Sequence, residues 1–208
     1  MNNGYYIYTM HGFSTNFINT FYNFIETNIT KDYQHSLKYL EKYENLNGEE
    51  VLLDIGGGTG YIINFFTSRI KTGISADPSR KMLLKNNFRN SNKIQSIGTK
   101  LPFNDGSIDI VFLIHVIHYI HRDEHGYIFK ELYRILKSKG SCYIIDLYYP
   151  MTFWNDLFTK FEEFAVGKTY HISAGLIINM LKTEGISKIS LYYTDDKQWR
   201  FLIKAVKN

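Results

Sequence analysis

Short apolar runs alternate with longer amphipathic segments along the chain from residue 51 onwards. Runs rich in apolar and β-branched residues, bounded by glycine, proline or polar positions, are typical of strands buried on both faces of a sheet. Five such strands are predicted, at VLLDI (51–55), KTGISAD (71–77), KIQSIG (93–98), IDIVFLIHV (108–116) and SCYIIDLYY (141–149).

The segments between these runs have apolar residues at the spacing of helices. Helices are predicted at YIINFFTSRI (61–70), PSRKMLLKNNFRN (78–90) and DEHGYIFKELYRILKSKG (123–140). Pro78 and Ser79 are typical of a helix start, and Gly140 of a helix end. Strands that alternate with helices predict an α/β fold. We expect a Rossmann-like, doubly wound and mostly parallel sheet with its ligand at the carboxyl ends of the strands.

The remaining segments predict additions to this sheet within a single domain of 208 residues. Helix-like spacing in FINTFYNFIETNI and HSLKYLEKY predicts two or three helices near the amino terminus. We expect an N-terminal helical cap, a ligand-binding core, an aromatic insert over the substrate, and a closing helix with strands. Their predicted ranges are 1–47, 48–148, 149–175 and 176–208.

Composition narrows the function classes. A chain of 24.4 kDa with 44% hydrophobic residues suits one core, and its net charge of +4 comes without a basic run, so nucleic acid is not signalled. Cys142 is the only cysteine, which excludes an internal disulfide and a multi-cysteine zinc site. The amino terminus lacks the pattern of a signal peptide, and no long apolar run occurs. We therefore expect a soluble, cytoplasmic protein away from membranes.

The segment DIGGGTG, residues 54–60, follows the first predicted strand. The dinucleotide pattern G-x-G-x-x-G fails because Tyr61 stands where the last glycine should be, which argues against an NAD(P) oxidoreductase. A P-loop fails because no lysine follows the glycines. The carboxylate of Asp54 would repel a pyrophosphate and attract an ammonium group. The loop therefore predicts a cationic small-molecule ligand.

Residues 54–60 resemble the first motif of class I S-adenosylmethionine-dependent methyltransferases, and the whole pattern resembles their type 11, or UbiE-like, small-molecule group. Three later segments resemble further motifs in the expected order: ADPSRKML, LPFNDGSIDIVFLIHVIHYI and ELYRILKSKGSCYIID. HISAGLIINMLKTEGISKISLYY resembles a late helix and strand of the family. The resemblance covers about residues 45–148. It implies an enzyme that uses S-adenosylmethionine and releases S-adenosylhomocysteine.

The resemblance also implies roles for individual residues. Asp54 would lie near the amino group of the cofactor, the glycines near its methionine part, and Asp77 on both ribose hydroxyls. Pro78 and Met82 would lie against the adenine, and Gly98 or Thr99 would replace an acidic residue that usually meets the adenine amino group. The expected cofactor-binding residues are Asp54, Gly56, Gly57, Gly58, Gly60, Asp77, Pro78, Met82, Gly98, Thr99 and His115.

Each of these residues also has a purely structural interpretation. Asp54 or Asp77 could cap a neighbouring helix, and the glycines could form only a tight turn. Four motifs in order favour the cofactor site over these alternatives.

Four histidines fall close together after the fourth predicted strand: His115, His118, His121 and His125. We expect no metal site, because the rings should not share one helical face and no carboxylate cluster accompanies them. His118 aligns with a position that is often histidine in the family and is our candidate general base. A wall residue that only shapes the pocket is the alternative. His121 and His125 are expected to be solvated at a helix start.

Methyl transfer is an in-line displacement, so the protein must chiefly align the acceptor and exclude water. The acceptor would be a small molecule methylated at oxygen, nitrogen or carbon, held by the aromatic insert and by an N-terminal segment that includes Tyr5, Tyr6, Tyr8, His11 and Phe13. An RNA or protein methyltransferase is one alternative, and a non-catalytic cofactor-binding or activating subunit is another. The oligomeric state stays open, with a homodimer among the possibilities.

Overall fold

The computed structural model describes residues 37, 41, 46–86, 91–148, 160, 163, 168–193 and 200–208. The predicted N-terminal helices therefore lie largely outside the described residues, as does most of the insert predicted at 149–175. The aromatic N-terminal segment that we expect to hold substrate lies wholly outside them. The structure thus presents the predicted core together with the closing helix and strands.

Seven strands form one sheet in the order β3-β2-β1-β4-β5-β7-β6. The strands are β1 Val51–Ile55, β2 Thr72–Asp77, β3 Ser91–Gln95, β4 Ile108–Ile114, β5 Leu136–Leu147, β6 Lys188–Tyr193 and β7 Arg200–Val206. The first five pair in parallel, whereas β7 runs antiparallel to both β5 and β6. The prediction of an α/β fold with a mostly parallel sheet is confirmed.

In the described ranges, four helices and two short 3₁₀ turns can be delimited between the strands. The helices are α1 Tyr61–Phe66, α2 Arg80–Lys85, α3 His125–Ile135 and α4 Ala174–Thr183, and the turns span Ile117–Tyr119 and Arg122–Glu124. The strand order reverses at β1, which lies between β2 and β4. In open parallel sheets such a reversal leaves a crevice at the carboxyl ends of the strands. The glycine loop follows β1 and therefore lies at this crevice.

The two faces of the sheet bury separate apolar clusters. Leu53 and Val111 face the cluster that includes α3 and α4, whereas Leu52 and Phe112 face the cluster that includes α1. This division follows from the alternation of side chains along a strand. Leu37, in helical conformation and 1% exposed, belongs to the α1 cluster, so at least this residue of the predicted N-terminal cap packs on the sheet.

The predicted end of α3 at Gly140 is wrong, because the helix ends at Ile135 and Leu136 already begins β5. Leu136 has extended backbone and pairs with Ile108, and the register then shifts so that Ser141 pairs with Ile110. An added Cβ at Gly140 would lie 2.9 Å from the carbonyl oxygen of Lys137 and 3.0 Å from that of Asp109. Gly140 is therefore required by close backbone packing in a β-bulge and does not cap the helix.

Other boundaries differ by a few residues. Helix α1, predicted to reach residue 70, ends at Phe66, and the strand predicted at 93–98 is observed at Ser91–Gln95. The helix predicted at 78–90 is observed at Arg80–Lys85, while 87–90 lie outside the described residues. Within the part of the chain that the structure describes, no helix is long and apolar enough to cross a lipid bilayer.

Candidate functional site

The loop after β1 is held against the end of β2 by backbone hydrogen bonds. The N–H groups of Gly56 and Gly57 donate to the carbonyl oxygen of Ala76 at 2.7 and 3.3 Å, and the N–H of Gly60 donates to the carbonyl oxygen of Gly57 at 2.7 Å. Gly56, Gly58 and Gly60 have φ angles of 76°, 41° and 80°, which favour glycine. The loop is thus a fixed turn at the carboxyl edge of the sheet.

Most of the glycines are required by neighbouring protein atoms. An added Cβ would lie 2.3 Å from Val116 Cγ2 at Gly56, 2.8 Å from Asp54 Oδ2 at Gly57, and 2.2 Å from Asn86 Nδ2 at Gly60. The structural interpretation of the glycines therefore holds for these three positions. A ligand at the loop is compatible with this interpretation. The packing of Gly56 against Val116 also brings the turn after β4 beside the loop.

Gly58 differs, because its surroundings are predicted site residues at ordinary contact distance. An added Cβ there would lie 3.6 Å from both Asp77 Oδ2 and Met82 Cε. The N–H of Gly58 also donates to Asp77 Oδ2 at 3.0 Å. The structure therefore brings Gly58 together with Asp77 and Met82, although Gly58 lies 19 residues before Asp77 along the chain.

Asp77 is 8% exposed and connects the glycine loop to the start of α2. Its second oxygen, Oδ1, accepts a hydrogen bond from the N–H of Ser79 at 2.7 Å. The cap of α2 is Ser79 itself, whose hydroxyl accepts from the N–H of Met82 at 3.3 Å. Each carboxylate oxygen can accept more than one hydrogen bond, so Asp77 keeps capacity for a ligand hydroxyl.

Asp54 is a buried carboxylate, only 2% exposed, at the end of β1. Burial, and then the negative charge of Asp77, raise the pKa of Asp54 well above its ordinary value of 3.8. Burial also raises the pKa of Asp77, although the N–H groups of Ser79 and Gly58 oppose that rise. A positive group placed beside these two acids would relieve their repulsion, so the donor set fits a ligand with an ammonium group.

The residues expected near the adenine lie at the same end of the sheet. Pro78 follows β2, and its carbonyl oxygen accepts a hydrogen bond from Gln95 Nε2 at 3.1 Å. Thr99 lies in the turn closed by Ile97 and Lys100.

Gly98, in the same turn, packs tightly against the core. An added Cβ there would lie 2.8 Å from Ile128 Cδ1 and 3.2 Å from Ile55 Cγ2. This packing places the turn over the end of β1.

Two of the four histidines occupy the turn that follows β4. His115 has a φ angle of 55°, rare for a residue with a side chain, and its N–H donates to the carbonyl oxygen of Ile145 at 2.8 Å. The ring centroids of His115 and His118 are 6.4 Å apart. His118 is 2% exposed, and its Nδ1 lies 2.5 Å from Asp146 Oδ1.

The sequence analysis missed Asp146, which is 1% exposed near the end of β5. Its Oδ2 accepts from the N–H groups of Ile117 and His118 at 3.1 and 3.3 Å, and its Oδ1 accepts from the N–H of Leu147 at 2.8 Å. The signal was an acidic residue in an otherwise apolar buried strand, where a carboxylate needs a partner.

A second missed residue, His171, lies near the end of the predicted insert. Its ring stacks on the ring of His118, with centroids 5.4 Å apart and planes at 15°. Beside it, the N–H of Tyr170 donates to the carbonyl oxygen of His118 at 2.6 Å. The described end of the insert therefore packs directly on the His118 turn.

The expectation for the other two histidines is correct for one of them. The side chain of His121 is 52% exposed. The expectation is wrong for His125, which is buried at 2% exposure. Its Nε2 lies 3.2 and 2.9 Å from the carbonyl oxygens of Ile117 and Ile120. His125 thus fixes the turn that carries His118. Among the described residues, no group of three histidines, cysteines or acids could hold a metal ion.

Comparison with known proteins agrees with this architecture. Residues 53–144 match the family model described as a methyltransferase domain. The malonyl-[acyl-carrier protein] O-methyltransferase of Marinomonas is 32% identical over 102 residues, which are 46% of this chain and 37% of the relative. The uncharacterized methyltransferase YcgJ of Bacillus subtilis is 28% identical over 116 residues, 52% of this chain and 45% of that protein. The matches thus span less than half of these curated relatives.

Solved structures show the same fold. The crystal structure of YcgJ from Bacillus subtilis superposes with a TM-score of 0.68 at 17% identity, covering 84% of this chain and 99% of that one. A chain in the complex between the Haloferax volcanii Trm112 methyltransferase activator and a methyltransferase gives a TM-score of 0.71 at 17% identity, covering 94% and 99%. The described part of the chain therefore has the Rossmann-like fold of class I methyltransferases, and residues 53–144 match a methyltransferase domain, as the motifs predict.

Proposed function

We propose that the protein transfers the methyl group of S-adenosylmethionine to oxygen, nitrogen or carbon of a small molecule. The observation that carries the proposal is the junction of Gly58, Asp77 and Met82, with buried Asp54 beside it. These residues match the parts of the cofactor: an acid for its ammonium group, a paired acceptor for its ribose, and an apolar thioether for its adenine. The match of residues 53–144 to a methyltransferase domain supports an enzymatic role.

The remaining assignments of cofactor-binding residues are part of the same proposal. Pro78 and Thr99 lie at the carboxyl edge of the sheet, and His115 follows β4 at that edge. Gly56, Gly57, Gly60 and Gly98 contribute through the close packing that shapes the crevice.

The bound sulfonium supplies an activated methyl carbon and a neutral thioether leaving group. The chain must then align the acceptor and keep water out. His118, buried on the turn beside the glycine loop, is our proposed general base. Residues 149–175 are proposed to cover the acceptor as a lid, since their described end packs on His118 through Tyr170.

The name of one relative supports a proposal for the atom that is methylated. The Marinomonas relative is by name a malonyl-[acyl-carrier protein] O-methyltransferase, which supports oxygen as the methylated atom here. We place the protein in the cytoplasm, since its single cysteine, Cys142, is free and buried.

A second candidate is a subunit that binds the cofactor and works only with a partner. The Haloferax volcanii structure favours it, because there a chain of this fold is found in a complex with a methyltransferase activator.

Calorimetric titration of the purified protein with S-adenosylmethionine and S-adenosylhomocysteine tests the proposal, with NAD and ATP as controls. We expect micromolar binding of the first two ligands alone. Binding of NAD alone, or of none of the four, would contradict the cofactor assignment. Binding without turnover of any acceptor, followed by turnover on addition of an activator subunit, would favour the second candidate.

A further inference from the structure

The ring of His118 is fixed by groups that the cofactor site does not use. Asp146 Oδ1 lies 2.5 Å from its Nδ1, and His171 stacks on the ring. A carboxylate beside one ring nitrogen holds the proton on that nitrogen and leaves the lone pair on the other. In the neutral ring of His118, the atom that can accept a proton is therefore Nε2.

Hydrogen bonds also fix the orientation of the Asp146 carboxylate. Three backbone N–H groups, those of Ile117, His118 and Leu147, donate to its two oxygens in addition to the His118 contact. Burial alone would raise the pKa of Asp146, but the positive charge and hydrogen bond of His118, together with His115, hold that pKa below 3.8. The carboxylate is thus charged and has a fixed direction when His118 takes up a proton.

The His118 turn lies beside the loop proposed to hold the cofactor. Val116 occupies the space next to Gly56, so the turn that begins at the end of β4 contacts the glycine loop. His171 and Tyr170 attach the described end of the insert to the same turn. The pair therefore lies between the cofactor loop and the segment proposed to cover the acceptor.

Resting on the proposed function, we infer that His118 and Asp146 act as one proton acceptor, and that the methyl acceptor carries a proton on its attacking atom. His118 Nε2 takes the proton from an O–H or N–H group as that oxygen or nitrogen bonds to the methyl carbon. The bond from that carbon to sulfur breaks and leaves its electron pair on sulfur. Water later takes the proton from His118. Asp146 is a positioning residue, because it acts only through His118.

This inference distinguishes classes of acceptor. A hydroxyl or an amine has a proton to give, and the negative charge of Asp146 stabilises the imidazolium that results. A carboxylate has none at neutral pH, and it would approach the negative charge of the pair. Protonated acceptors are therefore favoured over carboxylates.

Nitrogen NMR of the ligand-free protein with ¹⁵N-labelled histidine tests the inference without any acceptor. At pH 8 the neutral ring of His118, assigned with His118→Gln, should carry its proton on Nδ1. In Asp146→Asn the same ring should shift measurably toward the Nε2–H form, with the affinity for S-adenosylmethionine changed less than about twofold. The control is Asp123→Asn, which removes an exposed carboxylate 3.4 Å from His121 Nδ1 and should leave the signal of His118 unchanged.

If the neutral ring of His118 carries its proton on Nε2 in the unmodified protein, the inference is overturned. This measurement does not depend on whether Asp146→Asn folds. An unchanged tautomer in a folded Asp146→Asn variant would overturn it as well. Phenol, aniline and benzoate, which share a ring and differ in the attacking group, provide a second readout by release of S-adenosylhomocysteine. Methylation of benzoate alone would contradict the inference, whereas failure to bind S-adenosylmethionine would count against the proposed function.

Discussion

The carboxylate of Asp77 accepts a hydrogen bond from the N–H of Gly58, 19 residues away along the chain, at 3.0 Å. The same carboxylate accepts from the N–H of Ser79 at 2.7 Å. Asp77 therefore fixes the glycine loop and the start of α2 relative to each other, while its position at the end of β2 suits a ribose. The helix cap that the sequence context allowed for Asp77 is instead Ser79, and the role of Asp77 at the ribose stays a proposal.

Replacing Asp77 tests both roles. Asp77→Ala should weaken S-adenosylmethionine binding by more than about 1 kcal/mol, because the ribose loses its acceptors. It should also lower the free energy of unfolding by about 1–3 kcal/mol, because the N–H groups of Gly58 and Ser79 lose theirs. Calorimetry and urea denaturation measure the two effects.

The control for Asp77→Ala is Ser173→Ala, which removes the cap of α4, where the Ser173 hydroxyl accepts from the N–H of Leu176 at 3.4 Å. It should cost about 1 kcal/mol of stability and leave cofactor affinity unchanged. Unchanged affinity in Asp77→Ala would remove this residue from the site.

Asp54 should lower the stability of the ligand-free protein at pH 7 and strengthen the binding of the cofactor. Because its pKa is raised in the folded protein, the folded state binds its proton more tightly than the unfolded chain does. The stability that this proton contributes is present below about pH 3.8 and is lost as the pH rises through the raised pKa. Asp54→Asn should therefore raise the free energy of unfolding of the ligand-free protein at pH 7, with the difference shrinking as the pH falls toward 4.

The same substitution should weaken S-adenosylmethionine binding by more than about tenfold, since a charge-assisted hydrogen bond to the ammonium group is worth roughly 1.5–3 kcal/mol. In the unmodified protein the affinity should rise with pH through the raised pKa of Asp54, and Asp54→Asn should abolish that rise. Asp123→Asn, at an exposed surface position, should change neither property. An Asp54→Asn variant that is less stable at pH 7 would contradict the account.

The fold could be predicted because its determinants are local. The apolar runs and the start of α2 near Pro78 and Ser79 each depend on a few neighbouring residues, and the structure has them within a few positions of the predictions. The end of α3 was wrongly predicted at Gly140, because a glycine that ends a helix and a glycine that allows two backbones to approach are the same in sequence. Only the position of Asp109 on the neighbouring strand distinguishes the two.

The site could be predicted less completely than the fold. Asp54, Gly58 and Asp77 could be proposed from the sequence because they lie in recognisable motifs at strand ends, and the structure brings Gly58 and Asp77 into contact. Asp146 and His171 were missed because their roles depend on contacts with His118 across 28 residues for Asp146 and across the insert for His171. An acid in a buried strand is a usable signal, but nothing in the sequence says which residue it meets.

The packing of Gly56 against Val116 predicts a measurable coupling. Gly56→Ala should lower the free energy of unfolding by about 2–4 kcal/mol, because the new methyl group meets Val116 Cγ2 and the φ angle of 76° becomes strained. Gly106→Ala is the control, since its φ angle is 61° and nothing lies within 4 Å of an added Cβ. It should cost only about 1 kcal/mol, from backbone strain.

Adding Val116→Ala to Gly56→Ala should recover part of the lost stability, because the atom that clashes is then absent. Urea denaturation of the two single variants and the double variant gives the coupling energy, which we expect to exceed about 0.5 kcal/mol. Strict additivity of the two substitutions would show that the loop and the β4 turn do not pack as described.

The early end of α3 predicts a structural role for Lys207. Its ammonium group donates to the carbonyl oxygens of Tyr133 and Leu136 at 2.7 and 2.8 Å, and it lies 4.2 Å from the ring centroid of Tyr133. Tyr133 lies in the last turn of the helix, whose carbonyl groups lack the N–H partners of a following turn, and Leu136 is the C-cap. Lys207→Met keeps the apolar stem and removes the charge, so it should lower the free energy of unfolding by about 1–3 kcal/mol.

Lys188→Met, at an exposed position on β6, should change stability by less than about 0.5 kcal/mol. Equal effects of the two substitutions in urea denaturation would show that the helix end is stabilised without Lys207.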